Sequence, residues 1–242
     1  MKNLFLYSFI ILPSFVRAQD TVKLNDIKTN ITSPVVNNYH LTYERSLSKT
    51  VAVSLGIGYM PKGNLPFKDQ FKKQINSDKV DLDQFQMGNF AITPECRFYL
   101  GKGYLHGFYI AVYGRYASFN VTAPIQFTHD DESTGVALFD GKINSFSGGM
   151  LFGMQYTLWK ILVLDIMLIG GHYGSCSGTM NANNINPPLS ATEQQSLQDN
   201  INTINAKPYH ITGQVTSSTT AWMKASGPWA GIRSGINLGI RF

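Results

Sequence analysis

The chain has 242 residues, 20 Lys and Arg against 15 Asp and Glu for a formal net charge of +5, and only 14% charged residues beside 22 glycines and 12% aromatics. That length suits one all-β domain. The mild, scattered basic excess excludes a nucleic-acid surface, since no zinc-finger, RNA-binding or basic-helix pattern accompanies it. No apolar run reaches the length of a membrane-spanning helix.

Met1-Lys2-Asn3 is a short positive start, Leu4 to Phe15 is a largely apolar run, and Val16-Arg17-Ala18 places small residues before Gln19. This is the pattern of a cleaved secretory signal over residues 1–18. No Cys follows the expected cut, so lipid modification there is not expected. The mature chain, 19–242, is expected to form one domain of net charge about +3 once Lys2 and Arg17 are removed.

Period-2 segments follow at about 20–29, 38–47, 50–61, 87–100, 107–119, 143–158, 160–175 and 228–242, each long enough for a tilted transmembrane strand of about 9–11 residues. In the third, Val51, Val53, Leu55, Ile57 and Tyr59 alternate with Ala52, Ser54, Gly56 and Gly58. In the second, Tyr39, Leu41 and Tyr43 alternate with His40, Thr42 and Glu44, with Arg45 as an exception at the strand end, where it can snorkel. The first segment puts Asp26 on the face of Val22 and Leu24 unless a bulge shifts it. Ile161 to Ile169 is apolar on both faces apart from Asp165, and the Trp159-Lys160 corner and Gly170-Gly171 favour a strand over a buried helix.

The connections alternate in length: 46–49, 101–106 and 159–160 are short, whereas 30–37, 62–86, 120–142 and 176–227 are longer. With both termini in the periplasm, the short links are periplasmic and the long ones extracellular. Tyr39, Tyr59, Phe90, Tyr116 and Phe146 mark one end of the strands, and Tyr43, Phe98, Phe108, Tyr156 and Phe242 the other, as two aromatic girdles. In the last segment Ile232, Ile236, Leu238, Ile240 and Phe242 share one face, and Arg233, Asn237 and Arg241 the other. The expected architecture is an all-β, eight-stranded antiparallel transmembrane β-barrel with short periplasmic turns, longer extracellular loops and one long loop at about 176–227.

The stretch Leu41 to Pro61 (LTYERSLSKTVAVSLGIGYMP), with the aromatic last strand, resembles the small outer-membrane β-barrel proteins of OmpA/OmpX-like size. In particular it is similar to a group of uncharacterised barrels whose second and third strands meet at a Tyr-Glu-Arg-x-Leu-Ser turn. The resemblance implies a fold and an outer-membrane location. It implies no catalytic residues. It also implies that barrel-insertion machinery reads the last strand through Ile236, Leu238, Ile240 and Phe242.

The inward set is Glu44, Glu95, Arg97, Arg115, Asp165, Arg233 and Arg241. An eight-stranded lumen is just wide enough for side chains to fill, so these charges should pair and block conduction. A narrow pore is the alternative. His129-Asp130-Asp131-Glu132 lacks the spacing of a calcium loop and reads as a solvated acidic tip. His172-Tyr173-Gly174-Ser175 is the one near pairing of His with Ser. Residues three apart on a strand face opposite ways, which weighs against the remaining alternative, an outer-membrane lipid-modifying enzyme.

Lys62, Lys68, Lys72, Lys73 and Lys79 with Phe67 and Phe71 could meet lipopolysaccharide phosphates, but Asp69, Asp78, Asp81 and Asp83 offset them. Ser190 to Glu193 matches a capping box, followed by Leu197, Ile201 and Ile204 at helical spacing. Cys96 and Cys176 read as free thiols. No cofactor, metal or enzymatic activity is expected, and a partner would be met through the outer loops.

Overall fold

The computed structural model describes residues 22–64, 80–81, 83–204 and 206–242. The signal reading for 1–18 and the run from Phe67 to Lys79 lie outside them. Among the described residues nine strands are formed: β1 (Asn25–Asn30), β2 (Tyr39–Ser46), β3 (Val51–Asn64), β4 (Gln86–Tyr99), β5 (Gly107–Thr128), β6 (Thr134–Leu158), β7 (Leu162–Asn183), β8 (His210–Ser217) and β9 (Thr220–Arg241). One helix, α1 (Ala191–Thr203), separates β7 from β8. It is not long and apolar enough to cross a membrane.

Every pairing is antiparallel. The sheet runs β1 to β7, then β9, and β9 pairs back to β1, so the wall closes into a ring and leaves a barrel-like all-β fold. One edge of β9 follows β7 from Ile240 to Thr220. Its other edge is shared, with β1 taking 237–241 and β8 taking 220–226.

A ninth strand, β8, stands beside the expected ones, pairs only with β9 and sits inside the segment assigned to a loop. Of 176–227, β7 occupies the beginning, α1 and β8 the middle, and β9 the end. Residues 120–142 are likewise mostly strand, with only a short turn at 129–133 between β5 and β6. Here β5, β6, β7 and β9 run 22 to 25 residues and rise beyond the ring as an arm. The far halves of these strands keep the period of two but reverse its sense, with Phe119, Val121, Ile125 and Phe127 inward and Asn120, Gln126 and Thr128 outward, so a reading that looks for apolar residues on the outer face ends at the border.

Local chemistry explains the tight end of the ring, called here the turn end. Ser48 Oγ accepts from the amides of Thr50 and Val51 and fixes the β2–β3 turn. Trp159 and Lys160 both take positive φ, 49° and 64°, which is what a two-residue hairpin matched to the sheet twist requires. Gly101 to His106 folds inward, so that Leu105 is fully buried at the mouth of the ring.

The two faces of the wall differ sharply. Outward, Leu41, Leu55, Ile57, Phe98, Val112, Met150, Phe152, Ile232 and Ile240 form an exposed apolar belt. Tyr39, Tyr59, Phe90, Tyr116, Phe146 and Tyr173 border it toward the arm. Past that border the outward face changes to Asn120, Asn144, Ser175, Ser177 and Thr179.

Inward, the ring is filled by charge, whereas the arm encloses an apolar core of Phe119, Ile125, Phe127, Phe139, Met180, Met223 and their neighbours. The arm core includes Leu197 and Ile201 of α1, at 0% and 1% exposure. The stripe of α1 is thus buried against the chain's own strands β5 and β8, rather than presented to a partner.

Candidate functional site

Strand alternation aims one residue in two at the lumen, and the inward positions of six strands carry its ionic groups. Strand β1 supplies Asp26 and Lys28. The sequence parity that joined Asp26 to Val22 and Leu24 does not hold, because β1 begins at Asn25 and the two apolar residues precede it. Asp26, Lys28 and Asn30 form its buried face.

The centre of the network is the pair Asp165 and Glu44 facing Lys28 and Arg97. Lys28 Nζ donates to Glu44, to Asp165 at 2.8 Å and to Gln155 Oε1 at 2.6 Å. Arg97 donates to Glu44 at 3.1 Å, to Asp165 at 2.9 Å and to Glu95 at 2.9 Å. Two phenols complete the carboxylates: Tyr99 donates to Glu44 and Tyr109 to Asp165, each at 2.7 Å. The Arg97 guanidinium also lies 4.6 Å from the centre of the Tyr109 ring.

Toward the turn end, Arg241 makes a two-pronged pair with Asp26, at 2.8 and 3.1 Å, and caps the carbonyl of Leu105 at 2.9 Å. Gln155 bridges this pair to the centre through Asp26, at 2.6 Å. Toward the arm, Arg233 pairs with Glu95 at 2.7 Å. Four carboxylates and four cations are thereby joined in one network in which nearly every oxygen has a donor. Buried ions demand that satisfaction, since each loses its hydration.

Of the residues singled out in the sequence, the structure brings Glu44, Glu95, Arg97, Asp165, Arg233 and Arg241 into this network. Arg115 is not part of it. Its Nη1 donates to Thr93 Oγ1 at 3.1 Å, and no carboxylate among the described residues lies within ion-pair distance.

Sequence reasoning missed Asp26, Lys28, Gln155, Tyr99 and Tyr109. The Asp26-x-Lys28-x-Asn30 alternation was a usable signal for β1, and Gln155 shares parity with Leu151 and Gly153. Ile236, Leu238, Ile240 and Phe242 fall on the outward face of β9, opposite the buried Asn237 and Arg241.

A bulge turns His172 inward. The β7 pairings skip Leu168, which shifts the alternation between Asp165 and Gly170. Asp165, Met167 and His172 then all face the lumen, while Tyr173 and Ser175 face out, so His172 and Ser175 stand apart. Cys96 faces outward between Val53 and Val112, and Cys176 faces in. Both are free thiols.

At the arm tip the acidic run serves α1. Ser190 and Glu193 form the capping box, Ser190 Oγ accepting from the Glu193 amide at 3.2 Å and the Glu193 carboxylate accepting from the Ser190 amide at 2.9 Å. His129 contacts Glu193 at 2.5 Å, and Asp130 accepts from Ser190 at 3.1 Å. The Ser190 amide and the His129 ring hold the Glu193 carboxyl below its usual range. Lys62 reaches Asp140 on β6 at 2.9 Å. Among the described residues, no three His, Cys, Asp or Glu side chains are arranged to hold a metal.

Comparison with known families places this arrangement. A family described as "Protein of unknown function (DUF3575)" matches residues 4–197. The chain belongs to that family. The match ends within α1, so β8 and β9 lie beyond it. No curated protein matches the chain. Among solved structures, the crystal structure of the beta domain of the Bordetella autotransporter BrkA is similar over 91% of this chain and 96% of that one, at 10% identity and a TM-score of 0.27. A likeness that low carries no argument, and the ring is described from its own pairings.

Proposed function

We propose that this chain is an outer-membrane β-barrel with eight wall strands and a plugged lumen, acting as a structural and surface-interaction protein through its arm. The observation that carries the reading is the inversion of the wall: a belt of large apolar side chains faces out while paired charges fill the interior. Soluble proteins rarely expose contiguous apolar patches beyond a few hundred Å². Here the belt runs round the ring between two aromatic borders, as lipid requires.

In this reading β8 is an accessory strand outside the membrane, packed with α1 against the arm. Lipid and lipopolysaccharide contact the belt and its outer border. Insertion machinery meets the outward row Ile236, Leu238, Ile240 and Phe242 during assembly. A partner has a polar groove of about 510 Å³ at the arm tip, where Asn181, Asn183, Asn184 and Asn186 approach Asp140 and His129. The interior argues against a pore because each of its four carboxylates is held in an ion pair across the lumen. For the enzyme alternative, Ser147 and His172 both face the lumen yet make no hydrogen bond to each other.

Cell fractionation with gel electrophoresis of unboiled and boiled samples tests the reading. It expects the protein in the outer-membrane fraction with a mobility that shifts on boiling, and little steady conductance in planar bilayers. Recovery in the soluble fraction without a heat shift would overturn it, and large stable single-channel openings would overturn the plug.

A further inference from the structure

Between the ionic network and the apolar arm lies a part of the lumen with a different character. Tyr113 on β5, Gly149 on β6, His172 on β7 and Gly231 on β9 stand side by side in register. The two glycines make the space. A Cβ on Gly231 would lie 2.4 Å from His172 Nε2, so only glycine lets the imidazole lie across the neighbouring strand. His40 lies over Gly58 of β3 in the same way, 2.5 Å from where its Cβ would be. The Tyr113 and His172 rings then approach to 6.2 Å between centroids, and Arg233 stacks on Tyr113 at 4.5 Å.

Arg115, one inward position beyond Tyr113, stands directly opposite Ser147.

Two features of this chamber call for a ligand. The first is charge: among the described residues four lumen carboxylates face five cations, and the cation without a carboxylate partner is Arg115. The second is hydrogen bonding. Tyr113 Oη, Ser147 Oγ, His172 Nδ1 and Arg233 Nη1 are all buried without a partner, although buried polar groups are nearly always satisfied. Each of the four can donate. Donors from four strands, beside one surplus positive charge, are what an anion needs, and a guanidinium fork suits an oxyanion in particular.

We infer that this chamber binds a small singly charged oxyanion, a carboxylate or a phosphate, held by Arg115 and Arg233 with Tyr113, Ser147 and His172 as neutral donors. The bound anion balances the interior and satisfies its open donors. The site is independent of where the protein resides, since a soluble ring with the same interior would bind equally well.

The test is refolding of the full mature chain into detergent with a bulky sulfonate as the only anion, then with acetate, phosphate or chloride at the same ionic strength. Acetate or phosphate should raise the unfolding midpoint of the wild type by roughly 5 °C at saturation, and chloride by less. Arg115→Gln should abolish the dependence and unfold later than wild type in sulfonate, because the surplus charge is gone.

Ser147→Asp supplies a fixed carboxylate opposite Arg115 and should do the same, which keeps the test open if Arg115→Gln does not fold. A wild type indifferent to the anion would overturn the inference, as would a dependence undiminished in both variants. Equal stabilisation by chloride would overturn the oxyanion assignment.

Discussion

The ring and the arm share the four long strands β5, β6, β7 and β9, yet they fill their interiors by opposite means. Within the ring, Lys28, Arg97, Glu44 and Asp165 meet at the centre, and their outward neighbours are mainly apolar, with Ile27, Tyr43, Phe98, Leu164 and Ile166 among them. In the arm, Phe119, Phe127, Phe139 and Met223 form the interior, and the outward neighbours are Asn120, Asn144 and Ser177. The exchange occurs at one level, the aromatic border through Tyr116, Phe146 and Tyr173. An inversion of polarity along the same strands is what a sheet passing from lipid into water requires, and it is the physical content of the proposed membrane reading.

Breaking the ring's interior should have the largest effect. Asp165→Ala leaves Lys28 and Arg97 facing an uncompensated gap, and removing one partner of a buried ion pair costs about 3–5 kcal/mol. Urea unfolding in detergent should show that loss for the whole ring, together with disappearance of the heat-shifted gel band at lower temperature. The outward face comes next. Leu55→Lys places a charge in mid-belt at a cost of about 2–4 kcal/mol, whereas Ser177→Lys, outward on the arm, should be close to neutral. Equal costs at the two positions would erase the proposed boundary.

The arm should respond separately. Leu197→Ala empties the seat of α1 at a cost of about 2–3 kcal/mol, read as protease cleavage near residues 184–209 with the heat-shifted band retained. Loss of that band would mean the arm belongs to the ring's folding unit. Ser190→Ala, which removes the helix cap, should cost only about 1 kcal/mol.

The smallest effect is a pH dependence. The Glu193 carboxyl is held below its usual range by the Ser190 amide and His129, so its contribution is complete above the ordinary carboxylate range and is lost as pH falls through its lowered value. Protease sensitivity of the α1 segment should therefore rise only in acid, and Glu193→Gln should remove the pH dependence. A transition near neutrality would point to another group.

Much of the ring was legible in the sequence because its two faces are so unlike. The alternation of Val51, Val53, Leu55 and Ile57 with Ala52, Ser54, Gly56 and Gly58 fixes both strand and facing. The capping box at Ser190 located the start of α1, because that motif answers a local demand for backbone donors. Beyond the aromatic border the alternation continues with its sense reversed, apolar inward and polar outward, and a search for an apolar outer face ends there. The far halves of β5, β6, β7 and β9 were read as loops. Strand β8 was missed because His210 to Ser217 is short and polar. The ionic network was legible in type but not in partners. Arg115 has the same parity as the other cations, and only the register, which sets Ser147 rather than a carboxylate opposite it, leaves it unmatched.

The most direct test of the inverted wall uses a native side chain. Cys96 faces outward in mid-belt, flanked in register by Val53 and Val112, and Cys176→Ala makes it the sole thiol. A fluorophore attached there, in protein reconstituted into bilayers, should be quenched strongly by lipids carrying nitroxide on their acyl chains and hardly at all by aqueous iodide. Strong quenching by iodide with none from the lipid nitroxide would place Cys96 in water and contradict the account.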